Sequence, residues 1–329
     1  MKIVFLSHPE RLDRFCDLTD IPKGVELVLI GPNYTSAEVI AKAADAEGII
    51  VDAVLPVDAE MIAGMPNLKL IHSEGVGYAL IDTAAATKRG IYVCNNSGVN
   101  AGQVAEHAVM LMLTVLRRYA EGEMMVRAGR QMEAKTAFIM DGIGDLIGKK
   151  VGLIGFGAIG KELAKRLLPF GCEISYYTRH RVDAVTESAY QARYLPLEEL
   201  LCESDIVSLQ IPATPETQHI IRRETLSLMK PTSILINCAR GSCVNSADLA
   251  EAIKNGTIYG CGLDTMDPEP VPADDPVLLL PEPWRWRVAV SPHIAGTTLS
   301  VFQSTYLRIW ANFVRLQNGE KPINIVNVL

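Results

Sequence analysis

Short apolar runs alternate with amphipathic stretches along most of the chain. Lys2–Leu6, Val25–Ile30, Gly48–Val51, Leu68–Ser73 and Ile91–Asn95 read as buried strands. Helical patterns lie between them. One starts at Ser36-Ala37-Glu38 with Ser36 as its N-cap, one covers Asp58–Met65, and one covers Ile81–Arg89 and ends at Gly90. Strands alternating with short helices predict a parallel sheet covered on both faces, so the first hundred residues form one doubly wound domain. From Asn100 to about Met132 the pattern is that of one long helix, apolar at Val104, Ala108, Leu111, Leu113 and Leu116, and Gln131–Gly148 reads as irregular. A second set of strands follows at Val151–Ile154, Glu173–Thr178, Asp205–Ile211, Ser233–Ala239, Tyr259–Asp264 and Val288–Pro292, with a helix at Ser246–Asn255 capped by Ser246. A last long helix, Thr298–Gly319, has no strand after it and is expected to return to the first domain. The fold class is α/β, with two doubly wound parallel-sheet domains.

Composition changes this picture little. The 329 residues, 49% hydrophobic and 21% charged, are enough for two domains with their own cores. A net charge of −7 gives no support for a nucleic-acid or anionic-membrane partner. No apolar run reaches the roughly 18 residues a membrane span needs. The opening MKIVFLSHPERLDRF reads as a first strand and not a signal peptide. The seven cysteines show no CxxC or Cys/His spacing, so no metal site is expected, and Cys94, Cys172, Cys238 and Cys261 read as small hydrophobes in a reducing, cytoplasmic setting.

The stretch Val151–Arg181 carries the first chemistry. An apolar strand runs into Gly155-Phe156-Gly157-Ala158-Ile159-Gly160, an amphipathic helix follows, and a second strand ends at Thr178. In such a unit Gly155 permits the tight turn, Gly157 lets backbone approach a pyrophosphate, and Gly160 allows helix to pack closely on strand. The helix N-terminus favours an anion, so this is a dinucleotide site. Where an NAD-selective site has Asp or Glu for the ribose 2′-hydroxyl, this chain has Thr178-Arg179-His180-Arg181. Thr and two Arg suit a 2′-phosphate, which points to NADP(H); NAD(H) remains the alternative if the turn is merely solvated. Three further pieces, Ala239-Arg240-Gly241, Asp264 to Pro270 and Ser291-Pro292-His293-Ile294-Ala295-Gly296, each follow a predicted strand. They therefore fall where open α/β sheets bind ligands. An Arg, a carboxylate and a His converging there suit carbonyl reduction, although each taken singly also has a structural explanation.

With these pieces in order, the sequence resembles the D-isomer-specific 2-hydroxyacid dehydrogenases from end to end. The resemblance covers Ser73-Glu74-Gly75-Val76-Gly77-Tyr78, the run Asn95–Arg118, the glycine-rich loop, Thr214-Pro215-Glu216-Thr217, Met229-Lys230-Pro231, Ile236–Gly241, DTMDPEP, PHIAG and Asn324–Asn327. It implies that Arg240 binds substrate, that Glu269 is the carboxylate partner and that His293 is the acid/base. Val76 and Gly77, with Asn100 nearby, resemble the loop that holds the substrate carboxylate, to which Arg240 and His293 also contribute. Asp264 matches the residue at the nicotinamide carboxamide end. The other expected cofactor contacts are Gly155, Gly157, Ala158, Ile159, Gly160, Thr178, Arg179, Arg181, Pro212, Thr217, Cys238, Ala239 and Gly296. The family fold implies a Rossmann coenzyme domain, residues 100–295, inserted into a flavodoxin-like substrate domain, residues 1–99 and 296–329. It also implies a site in the cleft between them and a homodimer through the coenzyme domain. His107 matches a structural histidine of the family, which is also the better reading of a His on a long helix.

Two departures bear on substrate. Ala79 stands where Asp or Asn is common, and Glu74 puts a negative charge on a loop without Lys or Arg, which disfavours a doubly charged substrate such as phosphoglycerate. Thr178-Arg179 resembles the NADP-using glyoxylate/hydroxypyruvate reductase branch. The expected activity is D-specific hydride transfer between NADP(H) and a small 2-keto or 2-hydroxy acid of glyoxylate, hydroxypyruvate or pyruvate type. The alternatives are a non-catalytic dinucleotide-sensing protein like the corepressors of this fold, or an NAD-dependent relative acting on phosphoglycerate, formate or phosphite.

Overall fold

The computed structural model describes residues 1–328. Its chain is built as two compact units, one of Met1–Asn100 with the described residues from Thr297 onward, the other of Ala101–Gly296.

The first unit holds β1 (Lys2–Leu6), β2 (Glu26–Leu29), β3 (Gly48–Val51), β4 (Leu70–Ser73) and β5 (Tyr92–Cys94), paired in parallel in the order β2-β1-β3-β4-β5. Because side chains alternate across a strand, each strand supplies two cores. Val4, Leu6, Ile49, Val51 and Ile71 face Val39, Met61, Ile62 and Met65. Ile3, Phe5, Ile50 and Leu70 face Tyr306, Ile309, Trp310 and Phe313 of the final helix, Leu299–Gln317. Gly48 has no room for a side chain because the Phe313 ring occupies that space. The buried His72 joins these parts. Its Nδ1 donates to the Ser73 carbonyl (2.9 Å) and its Nε2 accepts from Asn312 (3.0 Å), whose amide also pairs with the Ile323 backbone.

The second unit holds β6 (Lys150–Ile154), β7 (Glu173–Tyr177), β8 (Ala192–Tyr194), β9 (Ile206–Leu209), β10 (Ile234–Asn237), β11 (Gly260–Leu263) and β12 (Val288–Val290). All pair in parallel in the order β12-β11-β10-β9-β6-β7-β8. The direction of winding reverses between β6 and β9, which places the loop after β6 at the switch point where such sheets bind ligands. Helices Ala101–Leu116 and Ala158–Leu167 cover one face, and Leu197–Glu203 and Ser246–Lys254 cover the other. The expected α/β class with two parallel sheets is what the chain forms. No helix of the described residues is long and apolar enough to cross a membrane.

Several local expectations need correction. The long helix predicted from Asn100 to Met132 is two helices, Ala101–Leu116 and Tyr119–Arg127, and the supposedly irregular Gln131–Gly148 contains a third, Gln131–Asp141. The break falls at Arg118, whose backbone is left-handed (φ 49°). Its guanidinium chelates Glu121 (2.7 and 2.9 Å), reaches Asp141 (2.6 Å) and stacks on Phe138, so a tertiary cluster offsets a local cost. Thr35, not Ser36, caps its helix in a reciprocal capping box with Glu38, and Asn245, not Ser246, caps Ser246–Lys254. The Ser246 hydroxyl donates instead to Asp275. Each of these caps lies one residue before the predicted one, because Ser, Thr and Asn compete for the position on equal chemical terms.

Candidate active site

The glycine-rich loop leaves β6 with Gly155 at φ 102°, a conformation that glycine adopts and other residues rarely do. A side chain there would also run into the Gln210 backbone. A Cβ on Gly160 would sit 2.5 Å from the Gly155 carbonyl oxygen, so the helix packs on the loop only because that atom is missing. At Gly157 a Cβ would meet nothing within 4 Å. Gly157 and Ala158 are exposed and Ile159 is half-buried. The first N–H groups of Ala158–Leu167 have no partner inside the helix. The open space over Gly157 beside those donors fits a pyrophosphate, which is how the donor set suits a dinucleotide.

Past β7 the basic turn is divided. Arg181 forms a two-pronged pair with Glu187 (2.7 Å each), and Glu187 also accepts the Tyr176 hydroxyl (2.7 Å); together they hold the Glu187 carboxyl down to about 2. The Thr178 hydroxyl donates to the His180 carbonyl (2.7 Å). Arg179 and His180 are exposed, and Arg179 forms no ion pair among the described residues. The 212–217 loop is closed on itself, with the Thr217 hydroxyl donating to the Pro212 carbonyl (2.8 Å) and accepting from Thr214 N (2.7 Å).

Beyond β10, Cys238 and Ala239 are buried and Arg240 is exposed. Burial and the nearby Asp264 push the Cys238 thiol up, so it is a packing residue and not a nucleophile. Gly241 lies directly against the Met266–Asp267 backbone, a contact that brings the segment bearing Arg240 against the one leading to Glu269. The Arg240 guanidinium bonds its own chain at the Ala239 carbonyl (2.7 Å). His293 Nδ1 and Glu269 Oε1 are 2.6 Å apart. His293 adopts φ 55°, with its amide on the Asp264 carbonyl (2.9 Å). The buried Asp264 carboxylate then takes the next two amides, Ile294 (3.0 Å) and Ala295 (2.9 Å), and the Ser291 hydroxyl (2.6 Å). Its oxygens are thus engaged in holding the His293 turn. His107 lies in the same network, 2.7 Å from Ser291 Oγ. Gly296 ends this unit. A cavity of about 460 Å³ opens beside the pair, lined by Met266, Pro270, Leu278, Val290 and His293. Among the described residues no group of three or more His, Cys, Asp and Glu could hold a metal ion.

In the first unit the loop after β4 has its carbonyls occupied. Those of Ser73 and Glu74 accept from the Asn96 side chain (3.2 and 3.0 Å), and that of Gly75 accepts from Asn96 N (2.9 Å). Val76 accepts from the Asn95 side chain (2.8 Å), and Gly77 accepts from Ser73 Oγ (2.6 Å). The amides of Val76 and Gly77 have no partner among the described residues. Filled acceptors and free donors on one loop are the chemistry that an anion calls for. Asn100, half-buried, directly precedes the helix Ala101–Leu116. The charge reading of Glu74 needs correction. Its carboxylate turns inward, buried, and accepts from Ser7 (2.5 Å) and Tyr306 (2.7 Å), with Arg11 at 3.5 Å. Nothing in the spacing signals this cluster, because its members come from opposite ends of the chain.

Residues 109–295 match the model of the D-isomer specific 2-hydroxyacid dehydrogenase NAD-binding domain. The chain is 38% identical over 289 residues to a glyoxylate reductase of Korarchaeum cryptofilum, covering 88% of this chain and 85% of that one. This chain belongs to the D-isomer-specific 2-hydroxyacid dehydrogenases. Among solved dehydrogenases, the holo form of Rhodotorula graminis D-mandelate dehydrogenase superposes with a TM-score of 0.87 at 26% identity, covering 100% of this chain and 98% of that one. The NADPH-dependent glyoxylate/hydroxypyruvate reductase of Sinorhizobium meliloti, in complex with NADP and malonate, gives 0.77 at 30% identity, covering 99% and 96%. The protein is therefore an oxidoreductase of the 2-hydroxyacid dehydrogenase type that uses a nicotinamide dinucleotide.

Proposed function

We propose that this dehydrogenase works as an NADPH-preferring reductase of small 2-keto acids such as glyoxylate, hydroxypyruvate and pyruvate, giving the D-hydroxy acid. The observation that carries the reading is the 2.6 Å His293–Glu269 pair at the carboxyl end of the sheet, which fixes one ring nitrogen and leaves the other for a proton transfer. When bound, the dinucleotide supplies the hydride. Gly157 and the amides of Ala158, Ile159 and Gly160 would hold its pyrophosphate, and Pro212, Thr217, Cys238, Ala239 and Gly296 would contact the rest of it. In the first unit the Val76 and Gly77 amides, with Asn100 nearby, are the donors for the substrate carboxylate; in the second unit Arg240 is the cation that binds substrate and polarises the keto oxygen. His293, as imidazolium, donates from Nε2 to the forming alkoxide, while Glu269 keeps Nδ1 protonated and stabilises the cation. Asp264 holds the turn that carries His293 and marks the carboxamide end.

The NADPH preference rests on Thr178 and Arg179 in place of a carboxylate. Arg181, tied to Glu187, shapes the turn more than it contacts phosphate. The protein is read as a homodimer through the coenzyme unit, a reading supported by the exposed Tyr119, Met132, Ile139 and Met140 on neighbouring helices. Light scattering tests it. The deciding assay is the initial rate with NADPH and NADH on glyoxylate, hydroxypyruvate, pyruvate and phenylpyruvate. Turnover with at least about tenfold preference for NADPH supports the proposal. NADH preference removes the 2′-phosphate assignment, and tight dinucleotide binding without turnover favours a sensing protein.

A further inference from the structure

The amide-presenting loop Gly75–Tyr78 begins at a carboxyl group that the reaction itself does not use. Glu74 leaves the end of β4 with its amide on the Val51 carbonyl (2.8 Å), and its side chain is directed into the first unit. Polar and charged groups from several elements gather there. Ser7 follows β1, Arg11 comes from the helix Pro9–Phe15, Asp52 follows β3, and Tyr306 comes from the final helix. Cys16 lies beyond Tyr306, and His72 stands on β4 itself with its ring turned to Ser73 and Asn312.

The charges do not balance when all are ionised. Among the described residues Arg11 is the single guanidinium serving these two carboxylates, and it is committed to Asp52 (2.5 Å) with Glu74 at 3.5 Å. An ionised Glu74 is then a surplus negative charge, largely withdrawn from water, with only Gly75 between it and Val76 and Gly77, the residues whose amides have no partner. Burial works in the same direction, since it raises the proton affinity of Glu74, against the opposing effect of its Ser7 and Tyr306 donors.

We propose that Glu74 is a positioning residue whose proton governs substrate affinity: with the proton on, the loop accepts the anionic keto acid, and with it off the buried charge opposes binding. The inference rests on the reading that this loop receives the substrate carboxylate. Linkage then requires that binding the anion raises the proton affinity of Glu74, and that deprotonation weakens the anion's binding by the same factor.

The test is the KM for glyoxylate, or whichever keto acid the enzyme turns over, with NADPH saturating, from pH 5 to 8.5 in wild type and Glu74→Gln. Every other pH effect is common to both proteins, so the ratio of the two KM values isolates Glu74. The ratio of wild type to variant is expected to rise with pH by about threefold or more, the size of a screened charge–charge effect at short range, while the kcat ratio stays level. A pH-independent ratio overturns the proposal, because a merely structural role shifts KM equally at every pH. Ser7→Ala supplies a second reading should Glu74→Gln fold poorly. Losing one donor to the carboxylate must move the KM transition to higher pH, and an unmoved transition refutes the idea. Absence of turnover with any keto acid counts against the proposed function itself; turnover with an unchanged ratio counts against Glu74 alone.

Discussion

Gly157→Ala separates the dinucleotide site from the fold with unusual clarity. Gly157 sits at φ −79° and ψ −154°, which alanine adopts without strain, and its added methyl would meet nothing within 4 Å. Restricting the unfolded chain should therefore stabilise the protein free of cofactor by about 0.4–1 kcal/mol. For a unit of this size that raises Tm by about 1–4 °C. The same methyl occupies the space into which a pyrophosphate must come to reach the free helix N–H groups. Displacing the phosphates costs at least one charge-assisted hydrogen bond, about 1.5–3 kcal/mol. NADPH affinity should thus fall about ten- to a hundredfold. Gly160→Ala is the counter-case, since its methyl would lie 2.5 Å from the Gly155 carbonyl oxygen and must destabilise the protein with or without cofactor. Fluorescence titration gives Kd, and thermal unfolding with and without NADPH gives both stabilities. A folded Gly157→Ala protein that binds NADPH as tightly as wild type would refute the placement of the pyrophosphate.

Three further outcomes are expected. His293→Ala should lower kcat by about a hundredfold or more while leaving NADPH binding intact, and Arg240→Ala should raise KM as well; steady-state kinetics decide, and an unchanged kcat in the first removes His293 as the proton donor. Arg179→Ala should cut the NADPH preference by about tenfold without affecting NADH, whereas Arg181→Ala should cut it less because Glu187 already holds that guanidinium; equal losses would contradict this. His72 is fully buried and burial lowers it from 6.5 to about 4, so the fold keeps it neutral while the unfolded chain takes up a proton below 6.5. Its contribution is complete above pH 6.5 and declines by about 3 kcal/mol as pH falls to about 4. Urea unfolding of wild type and His72→Gln at pH 7.5 and 5 should therefore converge in acid, and parallel behaviour would show that His72 does not titrate on unfolding.

Much of the fold was legible because its signals are local. Inner strands such as β3, β4, β9, β10 and β11 are runs buried on both faces, and such runs alternate with amphipathic helices, which leaves parallel sheets as the sensible arrangement. The small strand β8 and the helices Ala184–Ala189 and Leu197–Glu203 escaped notice because a few residues carry too little periodicity. The break at Arg117-Arg118 was invisible for another reason. Nothing in that dipeptide disfavours helix, and the chain turns there only because Glu121, Phe138 and Asp141 gather around one guanidinium.

The candidate site divides along the same line. Sequence alone determined which residue types stand at the carboxyl ends of the strands: the three loop glycines, Arg240, Glu269, His293 and the Val76–Gly77 turn. Strand ends and glycine geometry follow from short-range sterics, which the order of residues specifies. Only the tertiary structure decided which side chains remain available. It paired Arg181 with Glu187, engaged Asp264 with the turn that carries His293, and drew Glu74 inward against Tyr306, a partner 232 residues away. Hydrogen-bond and charge partners depend on distance in space, and for segments so far apart in the chain that distance exists only once the sheets and helices have packed.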